Sequence, residues 1–150
     1  MSGASGDGLP SDGEFVCLHE LYRAARARLS RGTWDYLIGG ADTETTLRRN
    51  RQALDSLAFR PRVLRDVSEI SLQGQLLGLD LRIPVMLAPI GGLEDFDPGG
   101  AATSARAASE FKIVSMHSSV SEPGLEAVGA AASGPKIYQL YMREGQRWLE

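Results

Sequence analysis

The sequence predicts an α/β fold in which parallel strands alternate with crossover helices, and three observations carry that expectation. First, Ile83-Pro84-Val85-Met86-Leu87-Ala88, Lys112-Ile113-Val114-Ser115-Met116 and Lys136-Ile137-Tyr138-Gln139-Leu140-Tyr141 are apolar runs of strand length. Second, the residues between them have helical character, so the chain repeats strand, loop, helix. Third, each run ends in small or polar residues: Pro89-Ile90-Gly91-Gly92, His117-Ser118-Ser119 and Gln139-Leu140-Tyr141. In barrels assembled this way, chemistry sits on the loops that follow the strands. The chain has 150 residues, whereas a closed eight-stranded barrel typically takes about 250. About three βα units of such a barrel are therefore expected, with the C-terminal part absent.

Composition narrows the function classes. A hydrophobic content of 43% is enough for a single core of ordinary size. Sixteen basic and 19 acidic side chains give a net charge of −3, so no global positive field favours nucleic acid. The lone Cys17 excludes an intrachain disulfide and a cysteine zinc cluster, and fits a cytoplasmic setting. No apolar run approaches the roughly 20 residues that span a bilayer, so membrane association is not indicated. Residues 1–14 are rich in Gly, Ser and Asp and lack the basic and apolar regions of a secretory signal. They are expected to be a disordered lead-in to one domain over 15–150.

The first ordered element begins near Phe15. Leu18, Leu21, Tyr22, Ala25 and Leu29 keep the 3.6-residue period of an amphipathic helix, which Gly32 is expected to break. A short aromatic run, Thr33-Trp34-Asp35-Tyr36-Leu37-Ile38, is closed by Gly39-Gly40. Asp42 or Thr43 can cap a second helix through Leu57, with Glu44 well placed in its first turn. Phe59-Arg60-Pro61-Arg62-Val63-Leu64 reads as extended, because a residue before proline avoids the α region. Apolar residues in 70–76 and 79–81, on either side of Gly78, predict a β-hairpin placed to cover the bottom of a barrel.

Two crossover helices follow. Gly99–Ser109 is Ala-rich, and Pro123–Ala132 has Ser121 as a candidate cap, with proline tolerated in a first turn. A third helix is expected to start near Gly145. Taken locally, Pro89-Ile90-Gly91-Gly92 is a turn with or without a ligand, and Ser118-Ser119 is a loop start. Gln139 and Tyr141 alternate along one strand and so share a face, where they line either a site or a packed layer. Tyr36 packs beside Trp34 or reaches a ligand. An isolated histidine such as His117 more often serves packing than catalysis. Glu94, Asp95 and Asp97 cluster, but acidic loop residues are usually solvated.

An ordered set of motifs carries a resemblance over residues 18 to 150. Trp34-Asp35-Tyr36 is followed by Gly39-Gly40-Ala41-Asp42-Thr43-Glu44, Thr46 and Asn50. Phe59-Arg60-Pro61-Arg62-Val63-Leu64-Arg65-Asp66-Val67 comes next, then Pro84, Leu87, Ala88 and Pro89. Ala105-Arg106-Ala107-Ala108, Ser118-Ser119 and Gln139-Leu140-Tyr141 complete it. In that order and spacing they resemble the N-terminal portion of the FMN-dependent 2-hydroxy-acid dehydrogenase/oxidase family, which includes glycolate oxidase, L-lactate dehydrogenases and lactate monooxygenase. The resemblance implies a TIM (β/α)8 barrel, FMN as cofactor, a small 2-hydroxy-acid substrate and a homo-oligomer in full-length relatives.

Residue by residue, the resemblance implies cofactor contacts from Ala88, Pro89, Ile90, Gly91, Ser118 and Gln139. It implies that Tyr36 holds the substrate carboxylate, and that Tyr141 binds the substrate's hydroxyl or keto oxygen as a catalytic residue. Ile90 stands where the family usually has a hydroxyl residue, and Val120 where some members place a tryptophan. His117 matches an ordinary apolar position. The family's base histidine, its adjacent arginine and its phosphate loops belong to later motifs and have no counterpart before Glu150. The chain is thus expected to be inactive alone and to need a complementing C-terminal chain. The alternative is a non-catalytic relic or interaction module without flavin.

Overall fold

The computed structural model describes residues 15–142. The expected lead-in over 1–14 and the helix near Gly145 lie outside the described residues. The chain divides between Ala58 and Phe59 into two compact units, each described by itself.

The first unit is helical. Helix α1 spans Leu18–Arg28, and the carboxylate of Glu20 accepts the backbone N–H groups of Val16 and Cys17 ahead of it. It ends at Leu29 in extended backbone, not at Gly32. Ser30 decides this: its hydroxyl accepts the N–H of Thr33 at 3.1 Å and starts α2, Arg31–Ile38, with Gly32 inside the first turn. The expected aromatic run is therefore helical. Trp34 is buried, meeting the Tyr22 ring edge-on at a centroid distance of 4.7 Å, with the Arg26 guanidinium 5.3 Å from its ring.

Helix α3 spans Thr45–Asp55 and is capped by neither Asp42 nor Thr43. Asp42 and Glu44 both adopt left-handed backbone, with φ of 50° and 56°. This turn sends the Glu44 carboxylate back to the N–H of Gly40 at 3.2 Å rather than to the helix's own first amides. An Arg51–Asp55 ion pair one turn apart closes its far end.

The second unit opens on residues 59–72, which pair with no strand among the described residues, and Leu64 turns left-handed at φ 56°. The expected hairpin follows: β1, Gly74–Leu76, pairs antiparallel with β2, Leu79–Leu81, through Leu77 and Gly78, both at positive φ. Three strands then form a parallel sheet in the order β3-β4-β5: Met86–Leu87, Val114–Ser118 and Lys136–Gln139. The crossovers are α4, Gly100–Phe111, and α5, Leu125–Ala131. Ala101, Ala105 and Val128 form the core between these helices, with Leu93 and Ala132 packed on it.

Each strand differs from its expected span for a local reason. Strand β3 is shorter than 83–88 because Pro84 has no N–H and Val85 donates to the Ile83 carbonyl at 2.8 Å, a tight turn instead of a ladder. Strand β4 starts at Val114, not Lys112. Lys112 sits at φ 60° and closes α4 by donating its N–H to the last carbonyls of that helix. The strand then runs on through His117 and Ser118. Strand β5 stops at Gln139, so Tyr141 lies past its end rather than in alternation along it. Helix α5 is shorter than 123–132: Gly124 occupies the cap position in extended backbone, and Ser121 is buried with no partner for its hydroxyl among the described residues.

Candidate functional site

The register of the parallel sheet brings two of the expected site residues side by side. Ser118, the last residue of β4, pairs with Gln139, the last residue of β5. Partners in a parallel ladder point to the same face about 4.8 Å apart. Ser118 is buried, and its hydroxyl accepts the N–H of Val120 at 3.3 Å, leaving its own proton available to a ligand. Gln139 is half-buried, and among the described residues its side-chain amide makes no hydrogen bond.

The loops beyond the strand ends are joined to one another by backbone amides. Gly92, after β3, donates its N–H to the Val120 carbonyl at 3.1 Å. Ser119 donates its N–H to the Gln139 carbonyl at 3.0 Å, extending the β4–β5 ladder by one bond. The Ser119 hydroxyl accepts the N–H of Tyr141, also at 3.0 Å. Tyr141 is therefore placed through Ser119 and not by strand alternation. This contact of Ser119 is one the sequence alone did not single out. The available signal was a serine directly after a strand, whose hydroxyl can serve a neighbouring backbone group.

Ala88, Pro89, Ile90 and Gly91 form the β3-end loop, with Ala88 and Ile90 exposed and Pro89 and Gly91 half-buried. The small Ala88 and the side-chain-free Gly91 leave peptide groups accessible. Tyr36 belongs to the first unit, on α2, and is 77% exposed. Val120 packs close to Gly91.

His117 takes the opposite side of the sheet. Its ladder partner is Tyr138, and its strand neighbours Met116 and Ser118 face the other way. The ring is buried, with Nε2 2.8 Å from the Ser115 hydroxyl and Nδ1 without a partner among the described residues. Burial, reinforced by the charge of Lys136, holds its pKa below the ordinary value of 6.5. Its ring is thus packed within the fold, where burial disfavours the charged form.

Two of the acidic loop residues, Glu94 and Asp97, accept backbone N–H groups. Glu94 accepts the N–H of Glu122 at 2.9 Å, which holds its carboxyl below the usual range. Asp97 accepts from Gly99 N–H and the Thr103 hydroxyl. A hollow of about 560 Å³ lined by Gln73, Gly74, Asp80, Leu81, Arg82 and Lys112 lies beside the residues that precede β4, at the end opposite Ser118. It holds none of the expected site residues.

Comparisons with known proteins converge on one family. The pattern of the FMN-dependent dehydrogenases matches residues 25–150. Glycolate oxidase 1 of Oryza sativa subsp. indica is 33% identical over 138 residues, covering 92% of this chain and 37% of the oxidase. A peroxisomal (S)-2-hydroxy-acid oxidase of the same subspecies is 37% identical over 127 residues, covering 85% of this chain and 35% of its own. The structure of a mandelate oxidase with 3,3-difluoro-2-hydroxy-3-phenylpropionic acid superposes with a TM-score of 0.84 at 32% identity. It covers 89% of this chain and 40% of that one. The chain thus spans little more than a third of the length of these relatives. With the family pattern matched along most of its length, the chain belongs to the FMN-dependent dehydrogenases.

Proposed function

We propose that this chain supplies the first three βα units of a (β/α)8 barrel that oxidises a small (S)-2-hydroxy acid to the 2-oxo acid. The observation that carries the reading is the in-register pair Ser118 and Gln139 at adjacent strand ends, joined to a side-chain-poor loop after β3. The residues present fit part of FMN. Peptide groups of Ala88–Gly91, the Ser118 hydroxyl and the Gln139 amide supply donors and acceptors suited to the carbonyls and nitrogens of a flavin ring. When bound, FMN supplies the acceptor for the hydride equivalent leaving the substrate carbon.

The chain's own residues bind and orient. Gln139 and Ser118, on one face of the sheet, would hold the ring. Tyr141, fixed through Ser119, offers its phenol to the hydroxyl or keto oxygen of the substrate. Tyr36, in the first unit, is by family resemblance the candidate for the substrate carboxylate. Ile90 lacks a hydroxyl, so its contribution to the cradle comes from its peptide group. No base for the substrate proton and no phosphate site is assigned to the described residues. Among the described residues, β5 is an outer strand of the sheet β3-β4-β5. A cytoplasmic location is part of the proposal and rests on the single exposed Cys17.

The test is an absorbance spectrum of the chain after FMN is added and the mixture desalted. Retained flavin bands are expected. A colourless protein overturns flavin binding by these residues and leaves the relic as the better reading.

A further inference from the structure

We infer that Gly91 and Val120 are a matched pair. Val120 occupies the volume a side chain at 91 would need, and the two jointly set how far the wall between the β3 and β4 ends projects toward a ligand held at Ser118 and Gln139. This deepens the flavin-site reading above and rests on it for its functional consequence, though not for the pairing itself.

Two explanations for a glycine at 91 are separable. A backbone demand does not apply: among the described residues the glycines at positive φ are Gly78, Gly92 and Gly100, and Gly91 is not one of them. Space is the constraint. A Cβ built on Gly91 lies 2.9 Å from Val120 Cγ2 and 3.4 Å from the Val120 carbonyl oxygen. The first separation is shorter than side-chain carbons tolerate, because repulsion climbs steeply inside contact distance.

The two loops resist moving apart to relieve such a contact. The next residue, Gly92, donates its N–H to the Val120 carbonyl. Val120 in turn donates its own N–H to the Ser118 hydroxyl, and Ser121 donates to the Ser118 carbonyl at 3.3 Å. Pushing Val120 away therefore pulls on Ser118. Through Ser119 it also pulls on the Gln139 carbonyl and the Tyr141 amide. A single methyl group at 91 is transmitted to every expected ligand contact on β4 and β5. Trimming Val120 to alanine removes Cγ2, the nearest atom, and opens room for it.

The experiment is a double-mutant cycle on the full chain with Gly91→Ala, Val120→Ala and both together. Far-UV circular dichroism follows urea unfolding, and quenching of flavin fluorescence follows an FMN titration. Overpacking of this kind lowers the folding equilibrium constant roughly tenfold to a hundredfold. That loss is expected for Gly91→Ala, with at least tenfold weaker FMN binding by its folded fraction. The double variant should return both quantities to those of Val120→Ala.

A Gly91→Ala chain indistinguishable from the parent overturns the pairing, and so does a double variant whose losses are the product of the two single ones. If Gly91→Ala does not fold, the double variant decides: folded supports the pairing, unfolded refutes it. Failure of the parent to bind FMN sinks the flavin-site reading while the unfolding cycle still judges the pair.

Discussion

The helices of Leu18–Asp55 and the βα segment of Met86–Gln139 handle apolar surface in opposite ways. Helices α1 and α3 are amphipathic in sequence yet hold no buried residue, and Leu18, Leu54 and Leu57 are largely exposed. Order there comes from local devices: the Glu20 and Ser30 caps, the Arg51–Asp55 pair, and Trp34 as the sole buried side chain among residues 15–58. In the βα segment, Val114, Ser115, His117 and Ser118 of a single strand are buried, and small alanines let α4 and α5 approach closely. The lesson is that amphipathic periodicity states where a core could form, while burial depends on what arrives to cover the face. Site geometry accordingly resides where packing is dense enough to hold loop ends at fixed distances.

That contrast can be broken by removing each unit's main support. The largest effect is expected from Val114→Asp, since Val114 is 0% exposed at the centre of the sheet. Burying an unpaired carboxylate there should abolish amide-exchange protection across Met86–Gln139. Protection within Leu18–Asp55 should stay at its own level, and a simultaneous loss in both would show that the units are not independently supported. Next is Trp34→Ala. Truncating a buried tryptophan costs about 3–5 kcal/mol, so α1 and α2 should lose their exchange protection and helical signal. An unchanged helical signal would mean that caps and ion pairs suffice without the aromatic contact.

The smallest expected effect sharpens the account of the sheet. His117 has a folded pKa below its ordinary value, so the unfolded chain binds a proton more readily than the folded one. Above about pH 6.5 this group leaves stability flat; as pH falls below 6.5 toward the folded pKa, stability should decline. His117→Gln keeps an amide able to meet the Ser115 hydroxyl but cannot titrate. Its urea midpoint should therefore depend less on pH between 7 and 5 (roughly the range over which histidine titrates). Equal slopes for parent and variant would mean that protonation of the buried ring is not what links stability to pH.

Much of the fold was legible because its signals are local. The turn around Gly78, the Ala-rich character of α4 and the alternation of strands with helices depend on residues within one element, where period and turn chemistry act directly. The misplaced boundaries also have local causes, but ones carried by backbone angles: left-handed Lys112 moved the start of β4, and left-handed Asp42 and Glu44 redirected a cap. For non-glycine residues such angles are too uncommon to be read from composition.

By itself the sequence determined the βα order, the residue types at the strand ends and the family to which they belong. Those follow from periodicity and from motifs read along the chain. Only the tertiary structure decided that Ser118 meets Gln139 in register, that Ser119 places Tyr141, that His117 faces away from the site, and that Val120 fills the space beside Gly91. Each of these depends on where a neighbouring loop or strand is fixed, often by a residue more than 20 positions away. Register, loop bridging and steric exclusion are properties of the assembled sheet, and no single segment encodes them.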